Sequence, residues 1–302
     1  MKRLHVGVVG VGSFGHNHVR HLSVHPLVER VTVADASAAK AASVAAKYGA
    51  IPARHLNDAA IDAAVVVVPT EHHCAVAAPL LERGIGVFIE KPIAANPRDA
   101  ESLLALASNH GALVQVGHVE RFSPAVRSIS DSARAVSYVR ARRHNPPRSI
   151  APTADVVLDL MIHDIDLALS LARTPVSRVT ALVPDGIGQE AAVARLEFVD
   201  GMVADLSASR LSPVVERTLT VHDAAGVFQA DLAAKRLDRT AGGIVSPVSL
   251  AQSDNLASEI DDFLAAVSGR KSPLVDGESG LAALKVAHEI RGAIASHYRL
   301  SA

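Results

Sequence analysis

The first 120 residues alternate between short aliphatic runs and longer amphipathic stretches. Leu4 to Val9, Val31 to Ala34, Ala63 to Val68, Val87 to Ile89 and Leu113 to Val116 read as strands. The unbroken aliphatic character of Ala63 to Val68 is that of a parallel strand covered on both faces. Residues 14–23, 37–48, 73–83 and 97–109 carry helical spacing between these runs. Regular alternation of strand and helix predicts a doubly wound parallel sheet. After about residue 120 the period changes. Ala194, Leu196 and Phe198 share one face, while Arg195 and Glu197 take the other. Asp200-Gly201 then turns the chain into 203–210, a hairpin signal. Residues 136–143, 218–222 and 227–231 read as further strands, and 155–172, 256–268 and 279–297 as helices. The pattern predicts an α/β domain over 1–120 and an α+β domain with a mainly antiparallel sheet over 121–302. Pro146-Pro147 and the stretch to Thr153 read as an irregular loop.

Composition narrows the function classes. Charged residues make up 20% of the chain and the formal net charge is −1, which is not the basic footprint of a nucleic-acid binder. Aromatics are 3% and Trp is absent, so a base-stacking platform is not expected. With Cys74 as the one cysteine, no intramolecular disulfide can form, which favours a reducing compartment. Lys2 and Arg3 precede an apolar run that is too short and glycine-broken for a signal peptide. No run of about 18 apolar residues suggests a membrane span. A soluble cytoplasmic protein with neither nucleic-acid nor membrane partners is expected.

Gly10-Val11-Gly12-Ser13-Phe14-Gly15 is a G-x-G-x-x-G segment. Alone it is a weak signal. Here it follows a strand and opens a helix, and Asp35 ends the next strand about 20 residues on, which completes the dinucleotide fingerprint of a Rossmann domain. Gly10 permits the tight turn, Gly12 lets backbone approach a pyrophosphate, and Gly15 allows close helix packing. The helix N-terminus supplies N–H donors and a favourable dipole to phosphates. Asp35 can accept hydrogen bonds from the ribose hydroxyls of NAD and would repel the 2′-phosphate of NADP, and no Arg follows it directly. NAD is the expected cofactor.

Two segments carry candidate chemistry. Glu90-Lys91-Pro92 ends a strand, where ligands of open α/β sheets gather. Asp159 and His163 are spaced i,i+4 on an expected helix and so share a face. Such parts suit alcohol oxidation, in which a base removes the hydroxyl proton as the cofactor takes a hydride. His163 titrates near neutrality and is the candidate base. Lys91 can stabilise a developing alkoxide or relay the proton. Asp159 can orient His163 or bind a neighbouring sugar hydroxyl. Taken singly, the Asp/His pair is more often an ordinary helix pair and Glu-Lys-Pro a surface turn; the dinucleotide fingerprint reverses both judgements.

Together with Pro69-Thr70-Glu71-His72-His73 and Gly117-His118-Val119-Glu120-Arg121-Phe122, these motifs make the chain resemble the glucose–fructose oxidoreductase/inositol dehydrogenase (Gfo/Idh/MocA) family over essentially its whole length. The resemblance implies a Rossmann domain followed by a substrate-binding and oligomerisation domain with an open-faced sheet. It implies that Lys91 and His163 are the catalytic pair, supported by Asp159. It places Thr70 and His73 beside the nicotinamide and Glu90 at the cofactor, and it implies a homodimer or homotetramer formed through the open sheet. The segment from Gly117 to Pro124 is similar to the Gly-His-x-Glu-Arg-Phe-Asn-Pro pattern of UDP-N-acetylglucosamine 3-dehydrogenase-like members, which makes His118 and Arg121 candidate substrate ligands. Ser123 stands where that pattern has Asn, and Ala154-Asp155 where a glycine pair often precedes the catalytic helix. Arg121 and Arg210 could bind a diphosphate or serve equally in packing or ion pairs.

The alternatives are a free-sugar or inositol dehydrogenase, an NAD-dependent glycosidase working by transient oxidation, and a non-catalytic NAD-binding regulator. No metal is expected. His18 and His21 share a helix face while His16 points elsewhere, and no acidic or cysteine partner has ligand spacing. Cys74 has no triad around it, and Asp164 and Asp166 read as polar helix positions.

Overall fold

The computed structural model describes residues 3–57, 59–147, 154–184 and 187–301; most of the expected loop up to Thr153 lies outside these residues. The chain forms two compact units, Met1–Val119 with Leu256–Leu281, and Glu120–Asn255 with Ala282–Ala302.

In the first unit, strands β1 (Leu4–Val9), β2 (Val28–Ala34), β3 (Ile51–Pro52), β4 (Ala63–Val66), β5 (Gly86–Glu90) and β6 (Val114–Gly117) form one parallel sheet in the order β3-β2-β1-β4-β5-β6. Helices α1 (Ser13–Ser23), α2 (Ala38–Tyr48), α3 (His73–Leu81) and α4 (Pro97–Asn109) make the crossovers. All four residues of β4 are buried, as their unbroken aliphatic character requires. Ser37 caps α2 and Asn96 caps α4, each side chain accepting a backbone N–H three residues on.

The sequence reading assigns all of 121–302 to one domain, and the structure corrects this. Helix α7 (Asn255–Val267) packs Ile260, Phe263 and Leu264 among Leu4, Val6 and Phe88 of the first unit. The Phe88 and Phe263 rings meet edge to face at 5.8 Å, and Gln115 Nε2 donates to the Glu259 carbonyl.

In the second unit, β7 (Tyr138–His144), β8 (Val176–Leu182), β9 (Ala191–Phe198), β10 (Val203–Ser209), β11 (Glu216–Asp223), β12 (Gly226–Asp231), β13 (Arg236–Ala241) and β14 (Ile244–Pro247) form an eight-stranded sheet in the order β14-β13-β12-β11-β7-β10-β9-β8. Every pairing is antiparallel except β7 with β10. Asp200-Gly201 makes the β9–β10 turn, with Gly201 at φ 88°. One face of the sheet buries Val139, Ala141, Leu196, Leu206, Leu219 and Val221 against α6 (Ile162–Leu171) and α8 (Gly277–Ser301). The opposite face carries the exposed Arg140, Arg142, Arg195 and Leu182 among half-buried residues such as Asp205, Ser207 and Thr220. Helix α5 (Pro124–Ser132) adds Ala125, Val126 and Ile129 to the same core.

Candidate active site

In the first unit the glycine turn follows β1. Gly10 has φ 87°, and a Cβ there would lie 2.4 Å from the Val67 carbonyl oxygen, so only glycine fits. A Cβ on Gly15 would fall 1.8 Å from the Gly10 carbonyl oxygen. A Cβ on Gly12 would meet nothing within 4 Å. Gly12 therefore keeps space clear at the start of α1, where free N–H groups favour an anion. Ser13 and Phe14 are exposed in the first turn of that helix. Asp35 is fixed at the end of β2: Oδ2 accepts from Val11 N–H at 2.9 Å and Oδ1 from Ser37 N–H at 2.8 Å. Each oxygen keeps a second lone pair for a ribose hydroxyl. Asp35, Ala36, Arg54, His55, Asn57 and Pro79 line a cavity of about 900 Å³. A glycine cradle, a fixed carboxylate and an adjoining cleft suit NAD.

Thr70 opens a single 3-10 turn, half-buried, and His73 begins α3. His73 Nδ1 lies 2.9 Å from the Pro92 carbonyl oxygen and Nε2 2.9 Å from that of Val68. The imidazole thus brackets the loops that leave β4 and β5. Burial holds its pKa below the usual 6.5 although the two carbonyls favour the cation, so the ring is neutral at pH 7. Glu90 closes β5 beside Gly117 of β6. Its Oε1 lies 3.0 Å from His18 Nε2, and its Oε2 accepts the Lys91 N–H at 3.3 Å. Burial alone would raise the carboxyl pKa; the His18 bond and the Lys91 charge outweigh it and hold the group below the usual range. Lys91 is half-buried and precedes a cis proline, and the His118 side chain is buried past the end of β6.

In the second unit, the helix expected over 155–172 is divided. Val157–Met161 is a π-helical turn carrying Asp159, and α6 continues with His163. Such turns occur often at functional sites. Asp159 and His163 are half-buried, while Leu160, Met161, Ile162 and Asp164 between and after them are buried. Asp155 caps the turn: Oδ1 accepts from Val157 N–H at 3.0 Å and Leu158 N–H at 3.1 Å, and Arg291 Nε lies 2.8 Å from Oδ2. That gives Asp155 a role at one of the two positions, 154 and 155, where the resembled pattern often has a glycine pair. Arg210 donates from Nη2 to Asp159 Oδ2 at 2.9 Å and to the Ala154 carbonyl at 2.6 Å.

Arg121 Nη1 lies 3.3 Å from Asp166 Oδ1. Arg143 of β7, buried, binds Asp164 through Nε and Nη2 and Glu120 through Nη1 at 2.8 Å. Burial opposes its charge, but the two carboxylates more than offset this and raise its pKa. Of the candidate substrate arginines, Arg121 and Arg210 are thus both held by carboxylates of the helix that bears His163. The aspartates at 164 and 166 anchor that helix. From the sequence, His18 is weighed only as a metal ligand, Asp155 is noted only as a departure from the family pattern and Arg143 is not singled out; each is polar at a position its own element buries or caps, but the partners of His18 and Arg143 lie far along the chain.

Comparison with known proteins agrees with this architecture. Residues 4–118 match the model of an oxidoreductase family with an NAD-binding Rossmann fold, and residues 129–229 match the C-terminal domain model of the same family. A UDP-N-acetylglucosamine 3-dehydrogenase of Acidithiobacillus ferrooxidans is 32% identical, covering 97% of this chain and 98% of that protein. A crystal form of that organism's enzyme superposes with a TM-score of 0.92 at 30% identity, over 97% of this chain and 98% of the other. An inositol 2-dehydrogenase of Rhizobium meliloti is 29% identical over 98% of both chains. Among the described residues no helix is long and apolar enough to cross a membrane, and no cluster of three or more His, Cys, Asp or Glu could hold a metal.

Proposed function

Because the chain belongs to the Gfo/Idh/MocA family of NAD-dependent oxidoreductases, we propose that it oxidises a secondary hydroxyl of a sugar, and that the sugar is a nucleotide sugar of the UDP-N-acetylglucosamine type, attacked at its 3-hydroxyl. The observation that carries this reading is the end-to-end similarity to the A. ferrooxidans dehydrogenase, with 97% and 98% of the two chains aligned. Gly10, Gly12, Gly15 and the first turn of α1 hold the pyrophosphate, and Asp35 the adenosine ribose. Thr70, His73 and Glu90 shape the nicotinamide end. When bound, NAD supplies the hydride acceptor.

The remaining chemistry belongs to side chains. His163 takes the hydroxyl proton. Lys91 places a positive charge at the oxygen where negative charge develops. Asp159, held by Arg210, orients the imidazole or the neighbouring hydroxyl. His118 and Arg121 are candidate substrate ligands, Arg121 being held by Asp166. The exposed face of the eight-stranded sheet would serve homodimer or homotetramer formation, and the single Cys74 suits a reducing cytoplasm.

A second reading, oxidation of a free sugar or cyclitol, is favoured by one observation: Arg121 and Arg210, the two arginines considered for a diphosphate, are both engaged by internal carboxylates. NADH absorbance after mixing the protein and NAD with UDP-sugars, free sugars and inositols, with a trap for the keto product, separates the two. A signal confined to UDP-N-acetylglucosamine supports the first reading. A signal confined to free sugars or inositols supports the second and overturns the first.

A further inference from the structure

We propose that His18 is a positioning residue for Lys91, acting through Glu90. The inference rests on the proposed role of Lys91. His18 lies on the buried face of α1 and is 1% exposed. Its Nε2 is 3.0 Å from Glu90 Oε1, and its ring packs 5.2 Å from that of Phe88 on β5. Glu90 spends its other oxygen on the Lys91 backbone N–H at 3.3 Å. The carboxylate is walled in on its third side. A Cβ on Gly117 would lie 2.9 Å from Glu90 Oε2 and 3.1 Å from Cδ and from Phe88 Cζ.

His18 Nδ1 is buried with no hydrogen-bond partner among the described residues. The hydrogen bond of the ring is the one between Nε2 and the Glu90 carboxylate, with a proton on Nε2 donating to Oε1. The half-buried carboxylate without that donor would be left with one long backbone hydrogen bond and would be free to swing away. That change withdraws the support beneath Lys91. The helix that opens at the glycine turn is thereby tied to the residue after β5 through one imidazole.

The test compares His18→Leu, which removes the donor, with His18→Gln, whose amide N–H₂ reaches the position of Nε2. Gly117→Ala is a second route: it presses on the Glu90 carboxylate without touching His18. The first readout needs no substrate. The acetylation rate of Lys91 is followed by peptide mass spectrometry against the exposed Lys40 and Lys47 as internal references. We expect His18→Leu and Gly117→Ala to shift the Lys91 rate by about threefold or more, and His18→Gln to restore it. The second readout is turnover on whichever sugar the wild type oxidises. His18→Leu should lower kcat about 10- to 100-fold, the scale of a hydrogen bond to a charged group, with NADH affinity by fluorescence titration changed far less. A wild-type Lys91 acetylation rate in both His18→Leu and Gly117→Ala overturns the proposal. So does a kcat loss that His18→Gln fails to rescue, or one matched by the loss of NADH affinity. If the wild type turns over no sugar, the functional reading fails, and the labelling result still decides this one.

Discussion

Arg210 holds Asp159 in a partly buried ion pair, its Nη2 2.9 Å from Oδ2, while the same nitrogen donates to the Ala154 carbonyl ahead of the π-helical turn. The guanidinium thus fixes both the carboxylate and the entry of the helix that carries His163. A planar fork can serve both acceptors, and an ammonium on a flexible stem cannot hold the same geometry. Arg210→Lys should therefore keep the fold but lower kcat about 10-fold or more, with a smaller effect on NAD affinity. Steady-state kinetics beside NADH titration check this; a wild-type kcat would remove Arg210 from the account.

The glycines of the turn separate stability from binding. Gly15→Ala forces a Cβ against the Gly10 carbonyl and should destabilise the protein by about 2–4 kcal/mol, seen as a lowered melting temperature. Gly12→Ala has room for its methyl group and should melt close to wild type. Its methyl group occupies the space the pyrophosphate needs, so NAD affinity should drop about 10-fold or more. Equal effects of the two substitutions on melting and on affinity would contradict the assignment.

Cofactor choice should turn on Asp35. Its carboxylate is fixed by two backbone N–H groups and shares a cavity with Arg54 and His55. Asp35→Ser removes the charge that repels a 2′-phosphate and leaves those basic groups in place. The ratio of kcat/KM for NADP over NAD should rise by about 10-fold or more. An unchanged ratio would place the discrimination elsewhere.

His73 makes stability depend on pH with a definite sign. Burial lowers its folded-state pKa below the 6.5 of the free side chain. The unfolded chain therefore binds more protons between the two values, so this stabilisation is full above about pH 6.5 and is lost as pH falls through the lowered value. Melting curves from pH 7.5 to about pH 5 should show a decline that is shallower in His73→Gln, whose amide can still donate to one of the two carbonyls. An equal decline in both proteins would mean that His73 does not carry the effect.

The first unit was largely legible in the sequence because its signals are local. The aliphatic run of β4, the glycine turn and Asp35 each lie within one βα unit, and the structure joins Asp35 to Val11 as that unit requires. Elements with weak alternation were missed. Strand β8 buries none of its residues fully, and β13 and β14 bury only Leu237, so neither carries a clear period. Helix α5 buries Ala125, Val126 and Ile129, but its nine residues are too few to carry a clear helical period on their own. The placing of α7 in the first unit depends on contacts such as Gln115 with Glu259, 144 residues apart. The same separation hid the support of the candidate site. Lys91, Asp159 and His163 stand in recognisable motifs, but the bonds from His18 to Glu90 and from Arg210 to Asp159 span 72 and 51 residues.

The central claim is hydride abstraction from a sugar carbinol carbon by NAD held in the first unit, and isotope transfer measures it directly. The protein is incubated with NAD and UDP-N-acetylglucosamine deuterated at carbon 3, and the reduced cofactor is analysed by mass spectrometry. Deuterium in the reduced cofactor, lost when Lys91 or His163 is replaced, is the result expected here. Reduced cofactor without deuterium would place the oxidation at another carbon, and no reduced cofactor from protein that binds NAD would contradict the proposed reaction on this sugar.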